Sequence, residues 1–320
     1  MRILVTGAAG FIGSHLSQAL LLRGDSVVGV DNLDPYYDPR LKRRNLAAIG
    51  SAGGRFESIE ADIRDAAAIS GLERSGPFDA IVHLAGLAGV RSSMDRASEY
   101  VDVNVGGTAI VLDFARRHKI PRFVFASSSS VYGEHPRALM RETDPVDRPL
   151  SPYAATKQAA EALCHSFVYM TGLGVTVLRF FSVYGPRQRP DMAVHRFASL
   201  MTRGEPIPIF GDGSSERDYT FVEDVIRGIV AALDTPGGWD VLNLGCGRPV
   251  PLLEMIHLLA AELQVSPQLV FQPAVRGDVA ATCADISRAQ LRLGYAPRVE
   301  MREGIRAFVS WFKGEGSSVL

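Results

Sequence analysis

Short apolar runs alternate with amphipathic stretches along most of this chain. An apolar run suits a strand of a parallel sheet, because helices cover such a sheet on both faces. Apolar residues at helical spacing, such as Ile12, Leu16 and Leu20, indicate the helices between the runs. Strands are predicted at 2–6, 26–30, 56–61, 80–84, 122–126 and 175–180, and helices after the first strand, over 100–118 and from about residue 153. This alternation predicts an α/β fold with a doubly wound, mostly parallel sheet.

The pattern changes after Pro186, where the predicted elements become shorter. Helices are predicted at 194–203, 223–233, 252–263 and 301–313, and strands at 207–210 and 241–244. We expect the segment near 221–248 to return to the main sheet. The pattern therefore predicts a first domain over residues 1–186, joined by that segment, and a smaller C-terminal α/β domain over 187–320.

A glycine-rich turn, Gly7-Ala8-Ala9-Gly10-Phe11-Ile12-Gly13, separates the first strand from the first helix. One glycine permits a sharp turn, one lets the backbone approach a pyrophosphate, and one lets helix and strand pack closely. The helix N-terminus offers unpaired N–H groups to an anion. A flexible turn between two core elements is the alternative. The strand before and the helix after favour a dinucleotide site of the Rossmann type.

Asp31 ends the second predicted strand, where a carboxylate can accept hydrogen bonds from both ribose hydroxyls of an adenosine. The same charge repels a 2′-phosphate, so NAD rather than NADP is the predicted cofactor. Asp62 follows the third strand and is expected either to lie over the adenine or to cap the next helix. The residues expected to bind the cofactor are Gly7, Gly10, Phe11, Ile12, Gly13, Asp31, Asn32, Asp62, Ile63, Leu84, Ala85, Tyr153 and Lys157.

The composition narrows the classes of function. Of 320 residues, 47% are hydrophobic and 22% are charged, which is ordinary for a soluble globular enzyme and excludes disorder. The net charge of −1 gives no electrostatic reason to expect nucleic acid or an anionic membrane as a partner. We interpret the one basic run, Arg40-Leu41-Lys42-Arg43-Arg44, as a solvated helix face.

The cysteines and the N-terminal residues indicate the cellular compartment in which we expect the protein. Cys164, Cys246 and Cys283 lack C-x-x-C spacing and a nearby histidine pair, so neither a disulfide framework nor a metal site is predicted. The chain enters a strand at Arg2, which leaves no room for a signal peptide, and no apolar run is long enough to span a bilayer. We expect a cytoplasmic protein.

Tyr153 and Lys157 place a phenol and an ammonium on the same face of a helix. A nearby Lys⁺ and an oxidised nicotinamide both favour the phenolate, which makes Tyr153 a candidate base for a hydroxyl proton. Such a pair is commonly an ordinary surface pair. Here, however, the serines at 127–130 directly follow a buried strand, where parallel sheets bind ligands. A hydroxyl there can hold a reacting oxygen, and a polar turn is the alternative.

The glycine spacing, G-x-x-G-x-x-G, resembles that of the extended short-chain dehydrogenase/reductases. With Ser128, Tyr153 and Lys157, the segments Val131-Tyr132-Gly133 and Arg217-Asp218-Tyr219 resemble the nucleotide-sugar epimerases and dehydratases of that group. The resemblance implies that NAD stays bound while C4 of the sugar is oxidised, the 4-keto intermediate turns over, and hydride returns to the other face. It also implies that Ser128 aligns the 4-hydroxyl, Tyr153 is the base and Lys157 holds the nicotinamide ribose.

The resemblance assigns further residues to the substrate. Arg189 and Arg217 match residues that bind the diphosphate, for which bidentate guanidinium pairing is well suited. Asp278 matches an acid that binds the nucleotide ribose. Val275 stands where some hexose epimerases carry a phosphate-binding arginine, so the role of Arg276 is left open. Helices near 100–118 and 153–171 often form a dimer interface in this family, which implies a homodimer.

Three segments resemble the UDP-glucuronate 4-epimerases in particular. They are Asp31-Asn32-Leu33-Asp34-Pro35-Tyr36-Tyr37-Asp38, Ala88-Gly89-Val90-Arg91 and Phe180-Phe181-Ser182-Val183-Tyr184-Gly185-Pro186. A 4-keto glucuronate loses carbon dioxide readily, so we expect hydroxyls of Ser129 and Ser182 to hold the sugar carboxylate by charge-assisted hydrogen bonds. The alternative is that Ser182, which replaces the threonine more usual in that family, only caps the strand-end loop. The residues expected to contact a UDP-sugar are Arg91, Ser128, Ser129, Tyr153, Ser182, Arg189, Arg217 and Asp278.

Other chemistries of the group need an acid that is absent here. The 4,6-dehydratases place an Asp-Glu pair where Ser129 and Ser130 stand. The xylose-forming decarboxylases carry a glutamate where Ser130 stands. Epimerisation is the simplest chemistry left, with UDP-glucose or UDP-N-acetylglucosamine as the alternative substrate. A non-catalytic dinucleotide sensor would be favoured by loss of Tyr153 or Lys157, and both are present. Asp31 argues against an NADP-dependent reductase.

Overall fold

Strands and helices alternate from the first residues, as the apolar pattern predicts. A computed structural model describes residues 1–135, 139–235, 237–274 and 279–316. The strands are β1 (Arg2–Thr6), β2 (Ser26–Asp31), β3 (Arg55–Glu60), β4 (Ala80–His83), β5 (Arg122–Ser128), β6 (Leu139–Met140), β7 (Gly174–Phe180), β8 (Ser182–Tyr184), β9 (Ile207–Phe210), β10 (Glu216–Arg217), β11 (Tyr219–Phe221), β12 (Trp239–Leu244), β13 (Val250–Pro251), β14 (Leu269–Gln272) and β15 (Cys283–Ala284). The α-helices are α1 (Phe11–Leu22), α2 (Pro39–Ser51), α3 (Ala66–Gly71), α4 (Val90–Asp95), α5 (Ala97–Val101), α6 (Thr108–Arg117), α7 (Pro152–Thr171), α8 (Ala193–Thr202), α9 (Val222–Asp234), α10 (Leu252–Leu263), α11 (Ser287–Leu293) and α12 (Met301–Trp311).

The main sheet has seven strands in the order β12-β7-β5-β4-β1-β2-β3. Every neighbouring pair is parallel. β1 pairs with β2 on one side and with β4 on the other, so the chain moves outward from β1 in both directions. The crevice where the strand order reverses is the usual ligand site of such sheets. The predicted doubly wound fold is confirmed.

Side chains of β1 alternate between two cores on opposite faces of the sheet. Ile3 and Val5 pack in one core with Leu20 of α1. Leu4 packs in the other core with Phe114 of α6. The two-residue period of a strand produces this division. Helices therefore cover both faces, which explains why the strands read as continuous apolar runs.

The segment near 221–248 returns to the main sheet, as expected. α9 packs against α1, and β12 pairs with β7 from Trp239 opposite Val175 to Leu244 opposite Phe180. The smaller elements form two-stranded pairs, which are β8 with β11, β9 with β14, β10 with β13, and β6 with β15. α10 packs against both α8 and α12.

Some boundaries differ from the prediction because of pairing between distant segments. Residues 182–184 were expected to be a loop, but they form β8 because β11 pairs alongside them. β5 runs two residues beyond the predicted end, since Ser127 and Ser128 stay paired with β7. The helix predicted from residue 100 begins at Ala97 and passes through a π-helical turn, Asp102–Gly107, before α6.

Noncovalent packing holds the described part of the chain together. Cys164, Cys246 and Cys283 are free thiols there. In the described ranges, no group of three His, Cys, Asp or Glu side chains could hold a metal ion. Nor is any helix in those ranges both long and apolar enough to cross a membrane.

Two leucines of α1 provide a test of this packing. Leu20 is fully buried, whereas Leu22 is 76% exposed. Leu20→Ala should lower the free energy of unfolding by about 2–5 kcal/mol, because it removes buried methyl groups and leaves a cavity. Leu22→Ala should change it by less than about 0.5 kcal/mol. Urea unfolding followed by circular dichroism measures both, and equal midpoints would contradict the assigned buried face.

Candidate active site

One cavity of about 850 Å³ opens at the carboxyl edge of the main sheet, and we call it the main cavity. Its walls contain every described residue that the sequence predicts to bind cofactor or substrate. They are Gly7, Gly10, Phe11, Ile12, Gly13, Asp31, Asn32, Asp62, Ile63, Leu84, Ala85, Arg91, Ser128, Ser129, Tyr153, Lys157, Ser182, Arg189 and Arg217. Asp278 lies outside the described residues, as do Val275 and Arg276, so their roles stay predictions.

The glycine-rich turn allows close approach between backbone segments. Gly7 has a φ of +72°, which favours glycine, and a Cβ there would lie 2.8 Å from the backbone nitrogen of Ala85. A Cβ on Gly13 would overlap the carbonyl oxygen of Gly7. α1 begins just after Gly10 with no side-chain cap and no acid in its first turn. This cradle, open to an anion, fits the pyrophosphate of a dinucleotide.

The Asp31 carboxylate lies beside this turn. Its Oδ2 accepts a hydrogen bond from the Ala9 amide at 3.1 Å, and its Oδ1 accepts one from the Leu33 amide at 2.9 Å. The Lys42 ammonium lies 3.7 Å from Oδ1. An ionised carboxylate offers about four acceptor positions, so Asp31 can still accept hydrogen bonds from ribose hydroxyls.

Asp62 lines the main cavity and does not cap a helix. It accepts hydrogen bonds from Asn32 Nδ2 at 3.0 Å and from the backbone and guanidinium of Arg64. The hydrogen bond from the Arg64 side chain lowers the pKa of Asp62 to about 2, so the carboxylate is ionised. Asp65 caps α3 instead, by accepting hydrogen bonds from the amides of its first turn. The helix-cap alternative for Asp62 is wrong.

The serines at the end of β5 have different partners. Ser127 Oγ donates a hydrogen bond to Glu161, which also binds Arg179 in a buried ion pair. Ser128 Oγ accepts a hydrogen bond from the Ser130 amide and donates one to Ser130 Oγ, both at 3.1 Å. The Ser128 side chain also lowers the pKa of the Tyr153 phenol, so the two side chains face each other. Of the two strand-end serines, Ser128 is therefore the one that faces the predicted base.

Tyr153 and Lys157 lie one turn apart on the buried face of α7. Lys157 Nζ donates a hydrogen bond to the carbonyl oxygen of Ala126 at 2.8 Å, and burial lowers the Lys157 pKa to about 8. Burial raises the pKa of the Tyr153 phenol, while the Ser128 side chain and the charge of Arg189 lower it. We expected Lys157 to lower this pKa. In the structure, Ser128 and Arg189 have that effect.

Arg189 lies in the main cavity with a carboxylate partner of its own. Its Nε and Nη2 donate to the two oxygens of Asp191 at 2.9 and 2.8 Å. Its guanidinium also lies over the Tyr36 ring, 5.4 Å from the centroid. A diphosphate that binds Arg189 would therefore share it with Asp191.

The other two predicted arginines are placed differently. Arg217 Nη1 donates to the carbonyl oxygens of Glu216 and Ala280. Arg91, near the start of α4, stacks on the Phe210 ring with its guanidinium 4.5 Å from the centroid. These contacts hold both guanidinium groups at the wall of the main cavity, within reach of an anionic ligand.

Ser129 and Ser182 emerge from neighbouring strand ends, because Ser128 of β5 is opposite Phe180 of β7. Both line the main cavity. Neither hydroxyl forms a hydrogen bond with another described residue. Both are therefore available to a ligand.

Sequence reasoning missed a hydroxyl cluster that reaches one wall of the main cavity through Tyr36 and Ser92. Tyr36 Oη lies 3.2 Å from both Ser92 Oγ and Asp191 Oδ2, and Ser92 Oγ lies 2.7 Å from Tyr100 Oη. The Tyr100 ring packs edge-on against Tyr153 with their centroids 6.2 Å apart. No local signal could have found this cluster, because its members come from separate segments.

Asn104 was also missed, although the sequence carries a signal for it. It lies in the π-helical turn, donates to the Leu87 carbonyl and to Thr156 Oγ1, and accepts from the Leu87 amide at 2.8 Å. It thereby ties the cavity wall to α7. The signal is Asn104 shortly before Gly106 and Gly107 in an otherwise helical stretch, because glycines weaken a helix interior and π-bulges are frequent at functional sites.

Gln188 is a second residue that was missed. Its side chain is buried, lines the main cavity and donates a hydrogen bond from Nε2 to the Val183 carbonyl at 3.2 Å. Its Oε1 has no hydrogen-bond partner among the described residues. A buried carbonyl oxygen without a partner is costly, which makes this atom a candidate acceptor for an ordered water or a ligand donor.

Known proteins share this arrangement. The model of the NAD dependent epimerase/dehydratase family matches residues 3–245. UDP-glucuronate 4-epimerase 4 of Arabidopsis thaliana is 41% identical over 331 aligned positions, which cover 98% of this chain and 75% of that protein. UDP-glucuronate 4-epimerase of Thermodesulfobacterium geofontis is 38% identical over 312 positions, which cover 97% of this chain and 95% of that protein.

A solved structure shows the same likeness in three dimensions. The UDP-glucuronic acid 4-epimerase from Bacillus cereus, in complex with UDP-glucuronic acid and NAD, superposes with a TM-score of 0.91 at 40% identity. The match covers 98% of this chain and 99% of that chain. The glycine cradle, the Ser128–Tyr153–Lys157 group and these matches lead to one conclusion. The chain belongs to the NAD dependent epimerase/dehydratase family.

Proposed function

We propose that this chain interconverts UDP-glucuronate and UDP-galacturonate by NAD-dependent epimerisation at C4. One observation carries the proposal: Ser128, Tyr153 and Lys157 line the same cavity as the glycine cradle and as a strand-end turn without acids. The similarity to the Bacillus cereus enzyme supports the choice of substrate. The alternative substrates are UDP-glucose and UDP-N-acetylglucosamine.

The chain's own groups account for the proton transfers. Bound NAD supplies a hydride acceptor that is restored within each turnover. Ser128 Oγ, held by the Ser130 amide, aligns the 4-hydroxyl of the sugar. Tyr153 Oη takes the hydroxyl proton and returns a proton to the 4-keto oxygen after the ring has turned. Lys157 keeps donors free for the nicotinamide ribose, because the Ala126 carbonyl uses only one of its three N–H groups.

The oxidised intermediate explains why hydroxyls surround the site. A 4-keto glucuronate is a β-keto acid, and it loses carbon dioxide readily when its carboxylate stands perpendicular to the keto plane. Ser129 and Ser182 present free hydroxyls at neighbouring strand ends. Hydrogen bonds from them to the carboxylate contribute roughly 1.5–3 kcal/mol each and hold it out of that orientation.

The domain division is part of this proposal. We assign cofactor binding to residues 1–186 with the returning segment near 221–248, and substrate binding to the rest of 187–320. The main cavity is lined from both parts, by Gly7 and Asp31 on one side and by Arg196 and Phe210 on the other. We also propose a cytoplasmic location, which the free thiols among the described residues support and which cell fractionation would check.

A panel of UDP-sugars given to the purified protein, with no added cofactor, tests the function. We expect UDP-glucuronate and UDP-galacturonate to interconvert, with little turnover of UDP-glucose, because Ser129 and Ser182 bind a carboxylate. Chromatography of the products measures each rate. Faster epimerisation of UDP-glucose than of UDP-glucuronate would replace this assignment with the UDP-hexose alternative.

Tyr153→Phe is the catalytic control for the panel. It should reduce turnover by about 10²–10⁴-fold while leaving bound NAD unchanged, because only the proton-transfer group is lost. Tyr169→Phe is the matched variant, since Tyr169 lies on the same helix and is 84% exposed. Near-normal turnover in Tyr153→Phe would exclude it as the base.

Ser182→Ala tests how the carboxylate is held. It should raise the fraction of UDP-pentose formed from UDP-glucuronate by about tenfold or more, since one charge-assisted hydrogen bond is lost. Ser182→Thr keeps the hydroxyl and should keep the side product low. An unchanged pentose fraction in Ser182→Ala would mean that this hydroxyl does not touch the carboxylate.

We propose a homodimer formed through the outer faces of α5, α6 and α7. Apolar side chains remain exposed there, with Val101 50% and Met170 76% exposed. Val101→Asp should shift the sedimentation coefficient from dimer to monomer, because a charge would be buried in the interface. Leu291→Asp is the control, since Leu291 is 85% exposed on α11. A wild-type protein that sediments as a monomer would refute the proposal.

A further inference from the structure

The basic run in α2 is only partly solvated. Arg40, Arg43 and Arg44 are exposed, as interpreted from the sequence, but Lys42 is buried and lines the main cavity. Together with Asn45 and Ile49 it forms the buried face of α2. Burial of an ammonium is costly unless the charge is paired. We therefore expect the Lys42 ammonium to be paired with an acidic group inside the cavity.

That partner is Asp31. Lys42 Nζ lies 3.7 Å from Asp31 Oδ1, and each side chain is only 9% exposed. The ammonium also lies over the Tyr37 ring, 5.0 Å from its centroid. One turn further along α2, Asn45 Nδ2 donates to the Ala9 carbonyl at 2.8 Å, and the Ala9 amide donates to Asp31. One helix face thus holds both the glycine-rich turn and the carboxylate that selects the cofactor.

We propose that Lys42 sets the cofactor preference jointly with Asp31. Its ammonium, 3.7 Å from Oδ1, holds the Asp31 carboxylate in place for the ribose hydroxyls of NAD. The same ammonium is a ready partner for a 2′-phosphate once the carboxylate has been neutralised. The inference rests on the proposed use of this site for a dinucleotide.

Charge balance explains why the pair must be treated as a unit. With both groups charged, the pair is neutral, and a 2′-phosphate meets a carboxylate that repels it. Without the carboxylate, the buried ammonium remains and attracts the phosphate. Without the ammonium, the negative charge of the carboxylate is no longer compensated, so it repels the phosphate even more strongly. Two other charged residues of the cavity are already matched, Asp62 by Arg64 and Arg189 by Asp191.

A cycle of variants tests this coupling by nucleotide retention. Wild type, Asp31→Asn, Lys42→Met and the double variant are freed of bound nucleotide with activated charcoal. Each is then incubated with equal concentrations of NAD and NADP and passed through gel filtration. The retained nucleotides are released and quantified by chromatography. Asp31→Asn keeps the shape of the side chain and removes its charge.

The expected results differ for each variant. Wild type should retain mainly NAD. Asp31→Asn should raise the ratio of retained NADP to NAD by about tenfold or more, since the phosphate gains a charge-assisted partner. The double variant should not show this increase in the ratio of retained NADP to NAD. Lys42→Met alone should lose part of the retained NAD without any shift toward NADP.

Controls separate charge from folding. Arg43→Met removes the same charge from the next, exposed position of α2 and should behave like wild type. Asp31→Asn with Lys42→Arg should keep the NADP gain, because the cation is retained. Lys42→Gln is the second neutral variant if Lys42→Met does not fold. An NADP gain that persists in Asp31→Asn with either neutral variant would overturn the proposal.

The same samples separate this inference from the proposed function. Failure of wild type to retain either nucleotide would refute both. Retention of NAD without turnover of any UDP-sugar would refute the proposed function and leave the coupling to be judged on its own ratios. If epimerisation is normal but the effect of Asp31→Asn on the NADP to NAD ratio does not depend on Lys42, only the proposed role of Lys42 is refuted.

Discussion

Parallel pairing forces the carboxyl ends of neighbouring strands onto one edge of the sheet, and the candidate active site depends on this constraint. Gly7 follows β1 and Asp31 ends β2, so the glycine cradle and the Asp31 carboxylate are adjacent. Ser128 ends β5, and Ser182 lies just beyond β7. Residues far apart in sequence thus meet in one cavity without any long loop to carry them there.

Buried polar groups behind the cavity fix the position of α7 relative to the strands β5 and β7. Glu161 of α7 pairs with Arg179 of β7 at 2.7 Å and accepts a hydrogen bond from Ser127 of β5. One carboxylate therefore joins a helix and two strands directly behind Ser128. Each of these charges would be costly if buried alone, so the three elements can pack closely only in the arrangement that satisfies them all. The helix α7, which carries Tyr153 and Lys157, is thereby held in register with β5, which carries Ser128.

Much of the candidate site was predictable because its signals are local. The glycine turn is recognisable from a strand before it and a helix after it, and Tyr153 with Lys157 from a helical spacing. Asp31 was predicted from its place at a strand end. The Asp31–Lys42 pair, in contrast, joins β2 to the buried face of α2, and the run of four basic residues hid which of them points inward. The cluster of Tyr36, Ser92 and Tyr100 has no signal at any single position, since it forms only when three segments meet.

The sequence by itself determined the α/β class, the parallel main sheet and the nature of the dinucleotide site. It could do so because apolar periodicity and glycine spacing are local patterns, which can be recognised within a short stretch of sequence. Tertiary structure decided the pairing of β8 with β11, the helix cap at Asp65 and the partner of every buried charge. It also decided that Ser128 and Arg189, rather than Lys157, lower the pKa of Tyr153. Burial and hydrogen-bond partners set these properties, and both depend on segments that only the folded chain brings together.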